Sequence, residues 1–254
     1  MLLNALHKLE EWRHLPAYQL ERRVDVFFGL FLREIIEYRF HKPGGVVIPE
    51  FPLHKGNVLG EKDSKRKNES VKVDFAVFCG NRDKRIFLVE LKTDSKSIRG
   101  NQLDHMLKAS KKGPECVLGG VLEAAIHSPV KPKYGHLLYK LHQIGCITRK
   151  YDEKNKGAIN FDQIDMKKAS PGLEPTFRDL AVSENWKKAA IELVLIAPSA
   201  LQQEKADYSQ FHHMTLADVA TAIEDECRSK LVFTNYLRKW EKTKAGRAQL
   251  VETA

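Results

Sequence analysis

Residues 71–92 of this 254-residue chain have the sequence VKVDFAVFCGNRDKRIFLVELK. Apolar residues recur at every second position from Val71 to Val77, which is the period that a β-strand imposes on its two faces. In a second run, a strand would place Ile86, Leu88, Glu90 and Lys92 on one face and Phe87, Val89 and Leu91 on the other. The segment Gly80–Asp83 between the two runs is polar and short. The stretch therefore predicts two strands joined as a β-hairpin, with one face of the first strand formed by Val71, Val73, Phe75 and Val77.

The predicted hairpin carries charged side chains on faces that are otherwise apolar. Alternation places Asp74 on the face of Ala76, and it places Glu90 and Lys92 on the face of Leu88. A charged group in an apolar setting costs several kcal/mol unless it is paired or bound to a metal. Glu90 and Lys92 are separated by about 6.5 Å along their strand, so one can bind a cation while the other reaches a substrate.

These residue types support a specific reaction. The carboxylates of Asp74 and Glu90 are hard oxygen ligands of the kind that Mg²⁺ prefers, and the bound metal can activate water. The ammonium of Lys92 can orient that water or stabilise developing negative charge. The three residues therefore favour metal-assisted hydrolysis of a phosphodiester. An isolated network of charges in a protein of unrelated function is the alternative that the pattern leaves open.

Asp74, followed after fifteen residues by Glu90-Leu91-Lys92, resembles the D…ExK signature of the PD-(D/E)XK, or restriction-endonuclease-like, nuclease superfamily. Val73 stands where the family name has proline, and the resemblance covers about residues 24–199. It implies an α/β fold with an αβββαβ core, in which helices flank a central mixed sheet of four to five strands. It also implies a Mg²⁺-dependent nuclease, with Mn²⁺ as a substitute, in which Asp74 and Glu90 bind the metal and Lys92 is catalytic.

The resemblance further implies an acidic residue on a helix ahead of the core strands. Residues 20–40 predict such a helix, because apolar residues recur at three- and four-residue spacing on one stripe. Glu34 lies at the edge of that stripe and is the candidate third metal ligand and catalytic residue, with an ion pair as the alternative. Glu50, in the predicted strand Val46–Leu53, competes with it, but prolines on both sides obscure its orientation.

The remaining elements follow the order that the resemblance requires. A helix ending near Lys111 would bring Gln102 and His105 beside the site, although a surface position is the preferred interpretation of Gln102. The near-continuous apolar run Ile191–Ala197 predicts a strand in the middle of the sheet. A strand over residues 210–214 and a helix over residues 216–240, capped by Thr215, would follow, and residues 151–175 would form an inserted loop. We expect a single domain over 1–254, with a nuclease-like core at about 20–200 and a C-terminal strand and helix at about 208–242.

The amino-acid composition and the net charge favour some classes of protein over others. The chain is 43% hydrophobic with a formal net charge of +9, which suits a protein that approaches a polyanion such as DNA. No stretch approaches the length of apolar sequence that crosses a membrane, so we expect a soluble, cytoplasmic protein. The four cysteines are scattered and favour neither a zinc site nor a disulfide framework. A homodimer would allow both strands of DNA to be cut in one encounter.

A binding protein without catalytic activity is the second hypothesis from the sequence. In that case the acids would belong to a structural ion-pair network within a nuclease-like fold. The basic surface would then hold nucleic acid or a protein partner.

Overall fold

The computed structural model describes residues 6, 21–43, 45–58, 60, 68–80, 83–93, 100–150, 170–199, 209–224 and 228–251. The helices are α1 (Glu21–Phe40), α2 (Lys55–Val58), α3 (Gly100–Lys112), α4 (Pro114–His127), α5 (Lys131–Gln143), α6 (Ser170–Arg178), α7 (Glu184–Lys187), α8 (Leu216–Ala222) and α9 (Arg228–Val251). The strands are β1 (Val46–His54), β2 (Ser70–Cys79), β3 (Arg85–Leu91), β4 (Ile147–Arg149), β5 (Leu180–Val182), β6 (Ala190–Ile196) and β7 (Phe211–Met214).

A five-stranded mixed sheet forms the centre of the fold, in the order β1-β2-β3-β6-β7. Strands β1, β2 and β3 pair antiparallel, whereas β6 runs parallel to β3 and β7 runs parallel to β6. The described part of the long connection from β3 to β6 is largely helical, as the crossover between parallel strands usually is. The α/β class, the mixed sheet of four to five strands with flanking helices, and the C-terminal helix are thereby confirmed.

Each face of the sheet is covered by its own hydrophobic core. The first core packs residues such as Ala76, Ile86 and Leu88 against side chains of α3 and α4. The second core packs residues such as Val77 and Phe87 against side chains of α1, α8 and α9. Because both faces are buried, β3 and β6 consist of nearly continuous apolar sequence, as expected for strands in the middle of a covered sheet.

The regular alternation predicted for β2 is wrong at its first half. Val71 and Val73 contact the first core together with Ala76, whereas Phe75 belongs to the second core, so the buried side chains change faces around Asp74. The neighbouring strand has a matching irregularity at Glu50, which adopts a left-handed backbone conformation with φ 51°. This irregularity divides β2 into two segments of regular alternation without the extra residue of a β-bulge, because the β1–β2 register is the same on both sides of it.

Three further differences between the predicted and the observed elements are each confined to one short segment. Helix α6 begins at Ser170, inside the segment predicted as a loop, whereas residues 151–169 lie outside the described residues. The single helix predicted over 216–240 is two helices, because α8 ends at Ala222. Strands β4 and β5, each three residues long, form a separate two-stranded sheet that is too short to produce a periodic signal.

Among the described residues, no helix combines the length and the apolar character needed to cross a lipid bilayer.

Candidate functional site

Glu90 and Lys92 form a buried ion pair at the carboxyl end of β3. Lys92 Nζ lies 2.5 Å from Glu90 Oε1, and the two residues are 2% and 0% exposed, respectively. The backbone N–H of Lys92 donates to the carbonyl of Ile196 at 2.8 Å, which extends the parallel pairing of β3 with β6 by one residue. Both side chains are therefore held on hydrogen-bonded backbone at the point where two parallel strands end.

Asp74 approaches the same point from the neighbouring strand. Its Oδ2 atom accepts a hydrogen bond of 2.7 Å from the backbone N–H of Leu91, the residue between Glu90 and Lys92. The β2–β3 pairing places Phe75 opposite Val89, and the next step in the same register brings Asp74 opposite Glu90. The two acids and the lysine singled out from the sequence thus come together, on two adjacent strands.

Helix α3 borders this group, as the sequence predicted for Gln102. The side-chain amide of Gln102 donates to the backbone carbonyl of Lys72 at 3.2 Å, two residues before Asp74. His105 lies one turn further along the helix and is half-buried. Gln102 is therefore a neighbour of the site through the β2 backbone, not through a contact with the acids themselves.

Glu34 forms an ion pair, which is the role that the sequence left open as the alternative to metal binding. Its Oε2 atom lies 2.9 Å from Lys230 Nζ of α9. Helix α1 packs in the second core, whereas Ile86 and Leu88, which share the face of Glu90, pack in the first core. The structure thus shows Glu34 in an ion pair with Lys230, and its role as a third metal ligand stays a prediction.

Glu50, the competing acid, is also turned away from the group. It lies between the ladder pairs Pro49–Phe75 and Phe51–Val73, at the level of Asp74. Its side chain is 61% exposed and forms an ion pair of 2.7 Å with Lys72. The left-handed backbone at Glu50 explains this orientation, because it rotates the side chain out of the regular alternation of the strand.

The donor chemistry at the site fits a hard divalent cation. Asp74 and Glu90 offer carboxylate oxygens, and Mg²⁺ in proteins commonly takes one or two carboxylates and completes its shell with water and substrate phosphate. Within the described ranges, no group of three or more His, Cys, Asp and Glu side chains is arranged to hold a metal ion. Cys79, Cys116 and Cys146 are free thiols, and Cys227 lies outside the described residues.

A second group of polar residues escaped the sequence analysis. Cys116, Glu123 and His127 lie on one stripe of α4 and border a cavity of about 690 Å³ together with His54. Their spacing of seven and four residues places them on the same helix face, and this pattern could have indicated the site. His54, the fourth residue of this group, is the last residue of β1 and lies far from α4 in the sequence. The sequence alone therefore could not show that His54 lies beside the other three residues.

Comparison of the chain with family models, with curated proteins and with solved structures found no match.

Proposed function

We propose that the protein is a Mg²⁺-dependent nuclease of the PD-(D/E)XK type that hydrolyses phosphodiester bonds in DNA. The observation that carries this proposal is the hydrogen bond from Leu91 N–H to Asp74 Oδ2. It joins the acid of β2 to the segment of β3 that carries Glu90 and Lys92. Two carboxylates and one ammonium on adjacent strands are the groups that metal-assisted phosphodiester hydrolysis needs.

The order of the elements supports the same proposal. Helix α1 is followed by three antiparallel strands, then by helices, and then by β6 parallel to β3. This is the αβββαβ order expected of a restriction-endonuclease-like core. Glu90 and Lys92 lie at the carboxyl end of β3, where open α/β sheets commonly bind their ligands, and Asp74 lies beside them in the middle of β2.

Each residue then has a defined task. Asp74 and Glu90 would hold the Mg²⁺ or Mn²⁺ ion. When bound, the ion supplies Lewis-acid polarisation of a phosphoryl oxygen and a more acidic water. Lys92 donates its N–H groups to the attacking water or to the phosphate and offsets the charge that develops there. Because Glu90 and Lys92 are shielded from bulk water, their electrostatic interactions at the site are stronger than at a surface.

The surface beside the site is suited to a polyanion. Lys108, Lys111 and Lys112 are exposed on the last turns of α3, the helix whose Gln102 contacts β2. The formal net charge of +9 has the same sign. Binding through such lysines weakens as salt rises, because each neutralised phosphate releases counterions.

A cleavage assay tests the proposed activity. Linear, circular, branched and single-stranded DNA are incubated with the protein in Mg²⁺, in Mn²⁺ and in EDTA. We expect cleavage that requires the metal and that is lost in Glu90→Gln, a substitution that keeps the size of the buried side chain. Asp104→Asn, which changes an exposed acid of α3, is the matched control and should retain activity. Metal-independent cleavage, or full activity in Glu90→Gln, would reject the assigned roles.

The second candidate function is binding without catalysis. It is favoured by the Glu90–Lys92 ion pair, in which the ammonium already neutralises the buried carboxylate. In this case the acids stabilise a nuclease-like fold that binds nucleic acid or a protein partner. Salt-sensitive DNA binding without turnover on any substrate, in either metal, would support this function over the first.

A further inference from the structure

Glu50 has a strained backbone conformation in the middle of β1, the strand at one edge of the sheet. Its φ is 51°, and His41, at the end of α1, is the other non-glycine residue with a positive φ among the described residues. This left-handed region is unfavourable for L-residues, because Cβ comes too close to the following carbonyl oxygen. The surrounding sheet must therefore hold Glu50 in this conformation, and strain of this kind is common at functional sites.

Strand β1 changes faces at the level of Glu50. Its side chains in the first core are, in order along the chain, Val46, Ile48, Phe51 and Leu53. The intervals between them are two, three and two residues, whereas a regular strand would keep an interval of two. Since the left-handed residue lies within the interval of three, the alternation of β1 shifts by one residue at Glu50.

Strand β2 changes faces at the residue opposite. The β1–β2 register is the same on both sides of Glu50, which places Asp74 opposite to it. Residues opposite each other in an antiparallel ladder place their side chains on the same face, so a shift in β1 requires the same shift in β2. All residues of β2 are described, and none of them has a positive φ. The change of faces at Asp74 is therefore set by the backbone of β1.

This change of faces brings the Asp74 carboxylate to the point where β2 separates from β3. The β2–β3 ladder ends at the pair Phe75–Val89, although β2 remains paired with β1 beyond that level. Continued pairing in the same register would set Leu91 opposite Val73. Instead, the N–H of Leu91 donates to Asp74 Oδ2 at 2.7 Å. The carboxylate thus takes the place of a backbone acceptor beside the segment of β3 that carries the buried ion pair.

We propose that Glu50 is a positioning residue of the active site and that it acts through its left-handed backbone, not through its carboxylate. It sets the level at which β2 changes faces, and it thereby holds Asp74 against Leu91. The Glu50 side chain is 61% exposed and pairs with Lys72, so it reaches the site only through the paired backbone. This inference rests on the proposed function, because it gives Glu50 a task in placing a proposed metal ligand.

Substitutions that differ in their tolerance of left-handed backbone test the proposal. Asn adopts this conformation readily, whereas a β-branched residue such as Val rarely does. Glu50→Asn and Glu50→Val both remove the carboxylate, so the contrast between them isolates the backbone. Lys72→Met removes the ion pair alone. His41→Val is the matched control for strain, because His41 has a φ of 52° but directly follows α1, outside the sheet.

The amide signal of Leu91 in NMR spectra of the metal-free protein gives a readout that needs no cleavage. The signal of an N–H that donates to a carboxylate shifts with pH as the acid gains a proton, and the bonded proton exchanges slowly with solvent. We expect the wild type, Glu50→Asn, Lys72→Met and His41→Val to keep both properties. Glu50→Val should lose the pH dependence and exchange the Leu91 proton about tenfold faster, as the loss of one hydrogen bond to a charged group predicts.

Cleavage kinetics connect the position of Asp74 with the reaction. Glu50→Val should lower kcat by about 100-fold, because a small displacement of a catalytic group is costly. The KM for DNA should stay within about threefold of the wild type, because the lysines at the surface are unchanged. Glu50→Asn should keep both constants within about twofold. If Glu50→Val does not fold, Glu50→Ala and Glu50→Gly replace it, and faster Leu91 exchange is expected in the alanine variant only.

The outcomes separate the positioning role from the nuclease activity. An unchanged Leu91 signal in Glu50→Val, or an equal loss in His41→Val, would overturn the positioning role even if the protein cleaves DNA. Loss of the signal in Glu50→Asn would also overturn it, because the side chain would then be responsible. A loss confined to Glu50→Val that leaves kcat unchanged would overturn the link to the reaction. The same confined loss in a protein that cleaves no DNA supports the placement of Asp74 by Glu50 and overturns only the nuclease activity.

Discussion

The ammonium of Lys92 lies 2.5 Å from Oε1 of Glu90, and both side chains are almost completely buried on the same face of β3. The stability of such a buried ion pair depends on two opposing contributions to the free energy. Removing both charges from water costs several kcal/mol per ion, and their mutual attraction offsets that cost only while both partners are present. The pair is consequently sensitive to the loss of one partner and much less sensitive to the loss of both.

Lys92→Met is expected to lower the free energy of unfolding by about 3–5 kcal/mol, because it leaves the Glu90 carboxylate buried without its ammonium. The double variant Glu90→Gln/Lys92→Met should recover most of that loss, since neither charge then remains. Urea denaturation of the wild type, both single variants and the double variant measures the coupling. A double variant as unstable as the sum of the singles would show that the two side chains do not interact.

Asp74→Asn separates the structural role of Asp74 from its proposed catalytic role. The remaining side-chain oxygen can still accept the hydrogen bond from Leu91 N–H, so stability should change by less than about 1 kcal/mol. The substitution removes the negative charge, so metal-dependent cleavage should fall by about 100-fold or more. Cleavage rates and denaturation midpoints are compared with those of Asp104→Asn. A large loss of stability with retained activity would contradict this division of roles.

The sequence predicted the hairpin and its three charged residues because strand periodicity is local. It could not predict that the β2 side chains change faces around Asp74, because the left-handed backbone at Glu50 on the neighbouring strand leaves no signal in the β2 sequence. The position of Glu34 depends on how α1 packs against α9, which is a tertiary relationship. Periodicity placed Glu34 on a helix correctly, but only the three-dimensional arrangement decided that its partner is Lys230.

Glu34→Gln should leave the cleavage rate within about twofold of the wild type, because Glu34 pairs with Lys230 and not with the proposed metal ligands. The two side chains are 43% and 21% exposed, so the loss of the pair should cost less than about 1 kcal/mol of stability. Activity measured over a range of Mg²⁺ concentrations is the sensitive test. A clear increase in the Mg²⁺ concentration required for cleavage would instead identify Glu34 as a metal ligand.

Stability should decrease as the pH falls below neutrality, in part because of His54. Burial lowers the pKa of His54 below its ordinary value of 6.5. The unfolded chain then binds a proton near pH 6.5 that the folded chain excludes, so stability is lost as the pH falls from 6.5 towards the folded-state pKa. His54→Gln should flatten this dependence, by at most about 1.4 kcal/mol per pH unit. Urea denaturation between neutral and mildly acidic pH measures the slope, and an unchanged slope in the variant would contradict the assignment.

The start of α8 offers a test of local structure that is independent of the site. Thr215 Oγ1 accepts from Asp218 N–H at 2.9 Å, and Asp218 Oδ2 accepts from Thr215 N–H at 2.8 Å, which together form a capping box. Thr215→Ala removes the first bond and should cost about 1 kcal/mol. Thr221→Ala, at an exposed position of the same helix, is the matched control and should cost less. Equal shifts of the denaturation midpoint in the two variants would show that losing the capping hydrogen bond costs no more stability than losing a surface threonine.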